Sequence, residues 1–107
     1  MNNLLADSSQ VHKEVWVVAA CFNEQAVITD FIKRALAIPG VSRLILVDDG
    51  STDQTVQRIR QLKKEYSSKE TLSNVTLIEL TRNFGKESAM LAGLDYVKGR
   101  CDAVVLI

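Results

Sequence analysis

The stretch Leu44-Ile45-Leu46-Val47-Asp48-Asp49-Gly50-Ser51-Thr52-Asp53 constrains the fold more than any other part of the chain. Four consecutive aliphatics without polar alternation suit a strand covered on both faces, as in a parallel sheet with helices above and below. The run stops at two carboxylates, a glycine and a hydroxyl pair. Gly50 permits a tight turn that a residue with a Cβ resists. Ser51 and Gln54 have the spacing of a capping box, and Asp53 then falls in the first helical turn, where the helix dipole favours negative charge. The acidic pair is therefore expected at the carboxyl end of a strand, the edge where open α/β sheets bind ligands.

The remaining segments can be placed relative to that edge. Residues 1–14 are polar and aperiodic apart from Leu4-Leu5 and are expected to form a loosely held lead-in, with His12 exposed to solvent. Val15 to Ala20 reads as the first strand and ends in Cys21-Phe22-Asn23-Glu24, where Asn23 can cap the helix that follows. Val27, Ile28, Phe31, Ile32, Ala35, Leu36 and Ile38 recur with helical period against Asp30, Lys33 and Arg34, and Pro39-Gly40 stops the pattern. Arg43 to Val47 is the second strand, and its helix turns Val56, Ile59, Leu62 and Tyr66 inward. Val75 to Leu80 is the third strand, and Thr81 to Glu87 is the loop after it. Ala89, Met90, Gly93, Leu94 and Val97 then form the stripe of a third helix with Gly99 at its C-cap. Ala103 to Ile107 is a fourth strand. Alternation of this kind with short connections predicts a parallel sheet with right-handed crossovers, in one domain over residues 15–107.

Charge and composition narrow the function. Thirteen basic and thirteen acidic residues sum to zero, so bulk attraction to nucleic acid is not expected. Cys21 and Cys101 lie in apolar surroundings without metal-ligand spacing, and no basic-then-apolar leader opens the chain, which suits a reducing, cytoplasmic setting. No apolar run approaches the roughly 20 residues that span a bilayer.

Three loops should meet at the ligand edge: Phe22-Asn23-Glu24, Asp48-Asp49-Gly50-Ser51 and Asn83-Phe84-Gly85-Lys86. Phe22 offers a flat face for a base, and Glu24 or Asp49 can accept the imide or amino protons of a base edge; such stacking is worth about 1–3 kcal/mol in nucleic-acid binders. That combination suits a nucleoside. Carboxylates repel a bare diphosphate unless a divalent cation intervenes, so the cation site is expected elsewhere. Each residue also has a plainer role. Phe22 fits a core position, Asp48 and Asp49 fit turn and cap residues accepting backbone hydrogen bonds, and the Asn83 loop fits a structural turn. Cys21 fits a small buried apolar residue.

Taken together, Val17 to Glu24, Val47 to Asp53, and Thr81 to Glu87 with Ala92-Gly93-Leu94-Asp95 resemble the family 2 glycosyltransferases of the GT-A fold. Within them the chain is most similar to the branch of dolichol-phosphate mannosyltransferase and the undecaprenyl-phosphate glucosyltransferases. The resemblance covers about Val15 to Ile107. It implies a three-layer Rossmann-like nucleotide-binding half of a GT-A fold, truncated after the fourth strand. It further implies that Phe22 packs on the base, that Glu24 helps fix the nucleoside, and that Asp49 hydrogen-bonds the base with Asp48 in support. Asn83, Gly85 and Lys86 would approach the ribose or phosphates. The family usually has a proline two positions before the aromatic; this chain has Ala20.

In the family, the strand matching Val104 to Ile107 leads into an Asp-x-Asp motif that holds Mg²⁺ or Mn²⁺ on the diphosphate. The resemblance thus implies an N-terminal piece of a longer enzyme, binding no metal and inactive by itself. The parent would transfer a hexose from a UDP- or GDP-sugar to a polyprenyl phosphate at the cytoplasmic face of a membrane. Three alternatives remain open at this point. One is a receiver-type signalling module, suggested by Leu46-Val47-Asp48-Asp49. A dinucleotide-dependent oxidoreductase lacks its G-x-G-x-x-G after any strand. The third is a non-catalytic nucleotide-binding module or homo-oligomer that covers an unfinished sheet edge.

Overall fold

A computed structural model of the chain describes residues 14–65 and 74–107. The expected lead-in before Glu14 and the inward-facing Tyr66 lie outside those residues. The elements run β1 (Val15–Cys21), α1 (Ile28–Leu36), β2 (Val41–Asp48), α2 (Thr55–Glu65), β3 (Val75–Glu79), α3 (Lys86–Val97) and β4 (Ala103–Leu106). All strand pairs are parallel, in the order β3-β2-β1-β4. This is the expected α/β architecture with an all-parallel sheet.

The aliphatic run of β2 explains the three layers. Leu44, Ile45, Leu46 and Val47 have no exposed surface. Successive strand residues point to opposite faces, so Leu44 and Leu46 join Ile28, Ile32, Ile59 and Leu62 from α1 and α2, whereas Ile45 and Val47 join Ala89 and Val97 from α3. Fully burying such a side chain is worth about 1.5–3 kcal/mol. Small residues let α3 settle closely on its face: a Cβ at Gly93 would lie 2.4 Å from Val18 Cγ1 and 3.1 Å from Val47 Cγ2.

Four local expectations fail, each for an identifiable reason. Asn23 does not cap α1; the cap position is Val27, without a side-chain hydrogen bond, and Asn23 turns to the neighbouring loop instead. The Ser51–Gln54 capping box does not form, because the Ser51 hydroxyl donates to Asp48 and the Gln54 amide donates to Gln25 Oε1. Asp53 lies just before α2, which begins at Thr55 and has no acidic residue in its first turn. The apolar stripe of α1 overshoots at both ends: Val27 and Ile38 flank the helix and remain largely exposed. Gly99, with φ 75°, does occupy the left-handed position after the Lys98 cap of α3.

Candidate functional site

The site follows from how the strands finish. Register places Cys21 opposite Asp48 and Asp48 opposite Glu79, so β1, β2 and β3 end flush. The ladder continues one step further, with Asp49 N donating to Cys21 O and Leu80 N to Asp48 O, both at 2.9 Å. The loops after the three strands are thereby delivered to one edge.

The acidic pair is buried, Asp48 at 2% and Asp49 at 3% exposure. Asp48 Oδ2 accepts from Ser51 N at 2.9 Å, and Oδ1 accepts from the Ser51 hydroxyl and the Cys21 thiol. Burial, reinforced by the Asp48 charge, pushes the Cys21 thiol up to about 12. It is therefore a neutral donor near neutral pH and no nucleophile. Asp49 reaches across to the third loop: Oδ1 accepts from Phe84 N at 2.8 Å, and Oδ2 accepts from Gly85 N at 3.0 Å and Asn83 Nδ2 at 3.1 Å. Gly50, at φ 73°, makes room for that loop, since a Cβ there would lie 2.3 Å from the Arg82 carbonyl carbon. Both acids thus also fill the plainer role of accepting backbone hydrogen bonds.

A second set of bonds joins the first loop to the acidic turn. Asn23 adopts φ 53°, donates its backbone N–H to Ser51 Oγ at 2.9 Å, and accepts on Oδ1 from Thr52 N at 2.8 Å and Asp53 N at 3.3 Å. Next to it, Glu24 N donates to Thr55 Oγ1 at 2.8 Å, and Gln25 N donates to Asp53 Oδ2 at 3.3 Å. Desolvation raises the Asp53 pKa, but hydrogen bonds from the Thr55 hydroxyl and amide outweigh it and hold the carboxyl below its ordinary value.

These contacts frame a cleft of about 570 Å³ lined by Phe22, Asp48, Ser51, Arg60, Arg82 and Asn83 among others. Phe22 is 42% exposed and free to present a ring face. At the rim Arg60 pairs with Glu79, and the Arg82 guanidinium lies 4.6 Å from the Phe84 ring centroid. The seven residues singled out from sequence do not all line this cleft. Phe22, Asp48 and Asn83 do; Asp49 sits beneath the Asn83 loop. Glu24 lines a separate groove of about 200 Å³ with Ile28, Phe31 and Ile107. Gly85 precedes α3 at φ 103°, and Lys86 is the exposed first residue of that helix rather than part of the loop.

Sequence reasoning missed Ser51, Asp53 and Thr55 as bracing residues and misassigned Asn23. The usable signal was the run of short side chains after Gly50, the types that compete for backbone amides. Among the described residues, no group of three or more His, Cys, Asp or Glu side chains is placed to hold a metal ion. No described helix is long and apolar enough to cross a membrane.

Comparison with known proteins gives a consistent result. Residues 16–107 match the family model described as Glycosyl transferase family 2. Dodecaprenyl-phosphate galacturonate synthase of Rhizobium johnstonii is 38% identical over 96 residues, covering 86% of this chain and 27% of that protein. Undecaprenyl-phosphate 4-deoxy-4-formamido-L-arabinose transferase of Edwardsiella ictaluri is 33% identical over 89 residues, covering 79% and 26%. The chain thus spans about a quarter of the length of these curated relatives. Among solved structures, the mannosyltransferase PcManGT from Pyrobaculum calidifontis, in complex with GDP-Man and Mn²⁺, superposes with a TM-score of 0.67 at 24% identity, over 78% of this chain and 24% of that one. At that identity the likeness is one of fold.

Proposed function

The chain belongs to glycosyl transferase family 2, and on that premise we propose that residues 15–107 form the nucleotide-sugar-binding part of a hexosyltransferase whose acceptor is a polyprenyl phosphate. The observation that supports this reading most directly is the flush ending of β1, β2 and β3, which brings Phe22, Asp48 and Asn83 to one cleft with Asp49 beneath its Asn83 side. Family membership sets aside the receiver and dinucleotide-oxidoreductase alternatives.

In this reading the base of a UDP- or GDP-hexose lies in the cleft with Phe22 against its face. A carboxylate offers about four acceptor positions, and Asp49 has three donors on it, leaving one for a base N–H. Asp48 supports the turn through Ser51. Asn83, Gly85 and Lys86 carry the ribose and phosphate side, with Lys86 exposed at the first position of α3. Glu24 lines the separate groove beside Ile28 and Phe31 and would fix the nucleoside from the first loop by turning its carboxylate toward the cleft.

Beyond the single charge of Lys86, the diphosphate calls for a divalent cation. Asp48 and most of the acceptor capacity of Asp49 are taken by protein donors, and the described residues hold no metal-ligand cluster. Mg²⁺ or Mn²⁺, as the Lewis acid of the transfer, would therefore be held by other residues. An ionised phosphate acceptor is already nucleophilic near neutral pH, so what this chain contributes is positioning. We infer that these residues bind the donor without transferring its sugar, and that the enzyme works at the cytoplasmic face of the membrane. Self-association through β4 is a secondary reading, favoured by the half-exposed Val105, Leu106 and Ile107; light scattering decides it.

Titration calorimetry with UDP and GDP, with and without Mn²⁺, tests the main reading. Weak metal-independent binding of one nucleotide is expected, with Asp49→Ala abolishing it. Heat of binding from neither nucleotide would overturn the proposal.

A further inference from the structure

We propose that Asn23 is the positioning residue that holds Phe22 over the nucleoside cleft, by bracing the loop after β1 against the turn after β2. This deepens the nucleotide-binding reading above and rests on it. The geometry supplies the argument. Phe22 is the first residue beyond β1 and lines the cleft, yet it is 42% exposed, so packing alone does not fix its loop. The residue that follows it is pinned at two points. Its backbone N–H donates to Ser51 Oγ at 2.9 Å, and that hydroxyl in turn donates to the buried Asp48 carboxylate. Its side-chain oxygen accepts from Thr52 N at 2.8 Å and Asp53 N at 3.3 Å, amides that precede α2.

Asn23 is the sole non-glycine residue among those described with a positive φ, at 53°. Asparagine tolerates this conformation better than most L-residues. The bend and the brace therefore come from one side chain: the left-handed turn aims the amide oxygen at the next loop, and the bond back to that loop holds the turn. An aspartate retains both the tolerance and the acceptor. A glycine retains the tolerance alone. That difference separates bracing from mere backbone accommodation.

The test uses GDP and UDP titrated into the wild-type protein, Asn23→Gly, Asn23→Asp, Phe22→Leu and the Phe22→Leu/Asn23→Gly double variant. For the nucleotide that the wild type binds, Asn23→Gly should weaken affinity about tenfold and Asn23→Asp should stay within about threefold. Asn23→Gly should cost little further in the Phe22→Leu background, because two residues acting through one contact are non-additive. Thermal unfolding of each variant separates lost affinity from lost fold. If Asn23→Gly binds as tightly as wild type, or its loss is undiminished in the Phe22→Leu background, the positioning role is overturned while nucleotide binding stands. If the wild type binds neither GDP nor UDP, it is the nucleotide-binding reading that falls.

Discussion

β2 and β4 are both written as uninterrupted aliphatic runs, yet they live in opposite environments. Leu44 to Val47 are fully buried, whereas Val105, Leu106 and Ile107 are about half exposed. The difference is position in the sheet: β2 is flanked by β1 and β3 and covered by helices on both faces, while β4, among the described residues, is an edge strand paired with β1 alone. An aliphatic run therefore encodes a strand, and its neighbours decide how deeply it is buried. The loop after β2 starts from that covered strand end, with Asp48 and Asp49 still buried at 2% and 3% exposure.

The contrast can be broken by paired substitutions. The largest effect is expected in the core: Leu46→Ala should cost about 2–5 kcal/mol, as buried leucine truncations do, and Leu106→Ala well under about 1 kcal/mol. Equal midpoints in urea unfolding would refute the distinction. Next come the glycines. Gly50→Ala combines a positive φ with a backbone clash against Arg82 and should cost about 2–4 kcal/mol. Gly99→Ala, at a similar φ but in open space, should cost about 1 kcal/mol, and thermal denaturation distinguishes the two.

The carboxylates follow. Asp49→Ala leaves the Phe84 and Gly85 amides without their buried acceptor and should cost about 1–3 kcal/mol. Amide exchange at Phe84 and Gly85 should accelerate with it. Asp102, which accepts from Glu14 N at an exposed site near β4, should cost less than about 1 kcal/mol when replaced by alanine.

The smallest effect is in pH. The Cys21 thiol stays protonated in the folded protein up to about 12, against an ordinary value of 9.0. The unfolded chain releases that proton first, so the stabilisation is intact below pH 9 and is lost as pH rises toward 12. Iodoacetamide at pH 8.5 should label Cys101, which is only partly buried, well before Cys21; prior labelling of Cys21 would show that β2 does not shield its neighbour.

Much of this was legible in the sequence, for physical reasons. The doubly buried strand, the three converging loops and the glycine turn all rest on local chemistry that the residues state directly, and the family resemblance was carried by three motifs in order. What escaped was non-local satisfaction of hydrogen bonds. Asn23 has the right side chain for a cap, but which amides it caps depends on which loop lies beside it in space. For the same reason Ser51 reads as half of a capping box until Asp48 is seen within its reach. Asp49 was read both as an acceptor for a base and as a turn residue; which amides it accepts from, those of the Asn83 loop, was visible only in space. Ile38 shows that apolar periodicity can persist past the end of the α-helix at Leu36.

The only tryptophan in the chain, Trp16, stands near the amino end of β1. It is buried, its indole N–H donates to Glu14 at 3.1 Å, and Arg43 lies 5.3 Å from the ring centroid. Five strand residues, or roughly 17 Å at about 3.3 Å each, separate it from the strand's far end. Its emission is consequently a built-in optical gauge of whether the sheet is intact, set far from the opposite rim, so melting can be followed without a direct contribution from a ligand bound there.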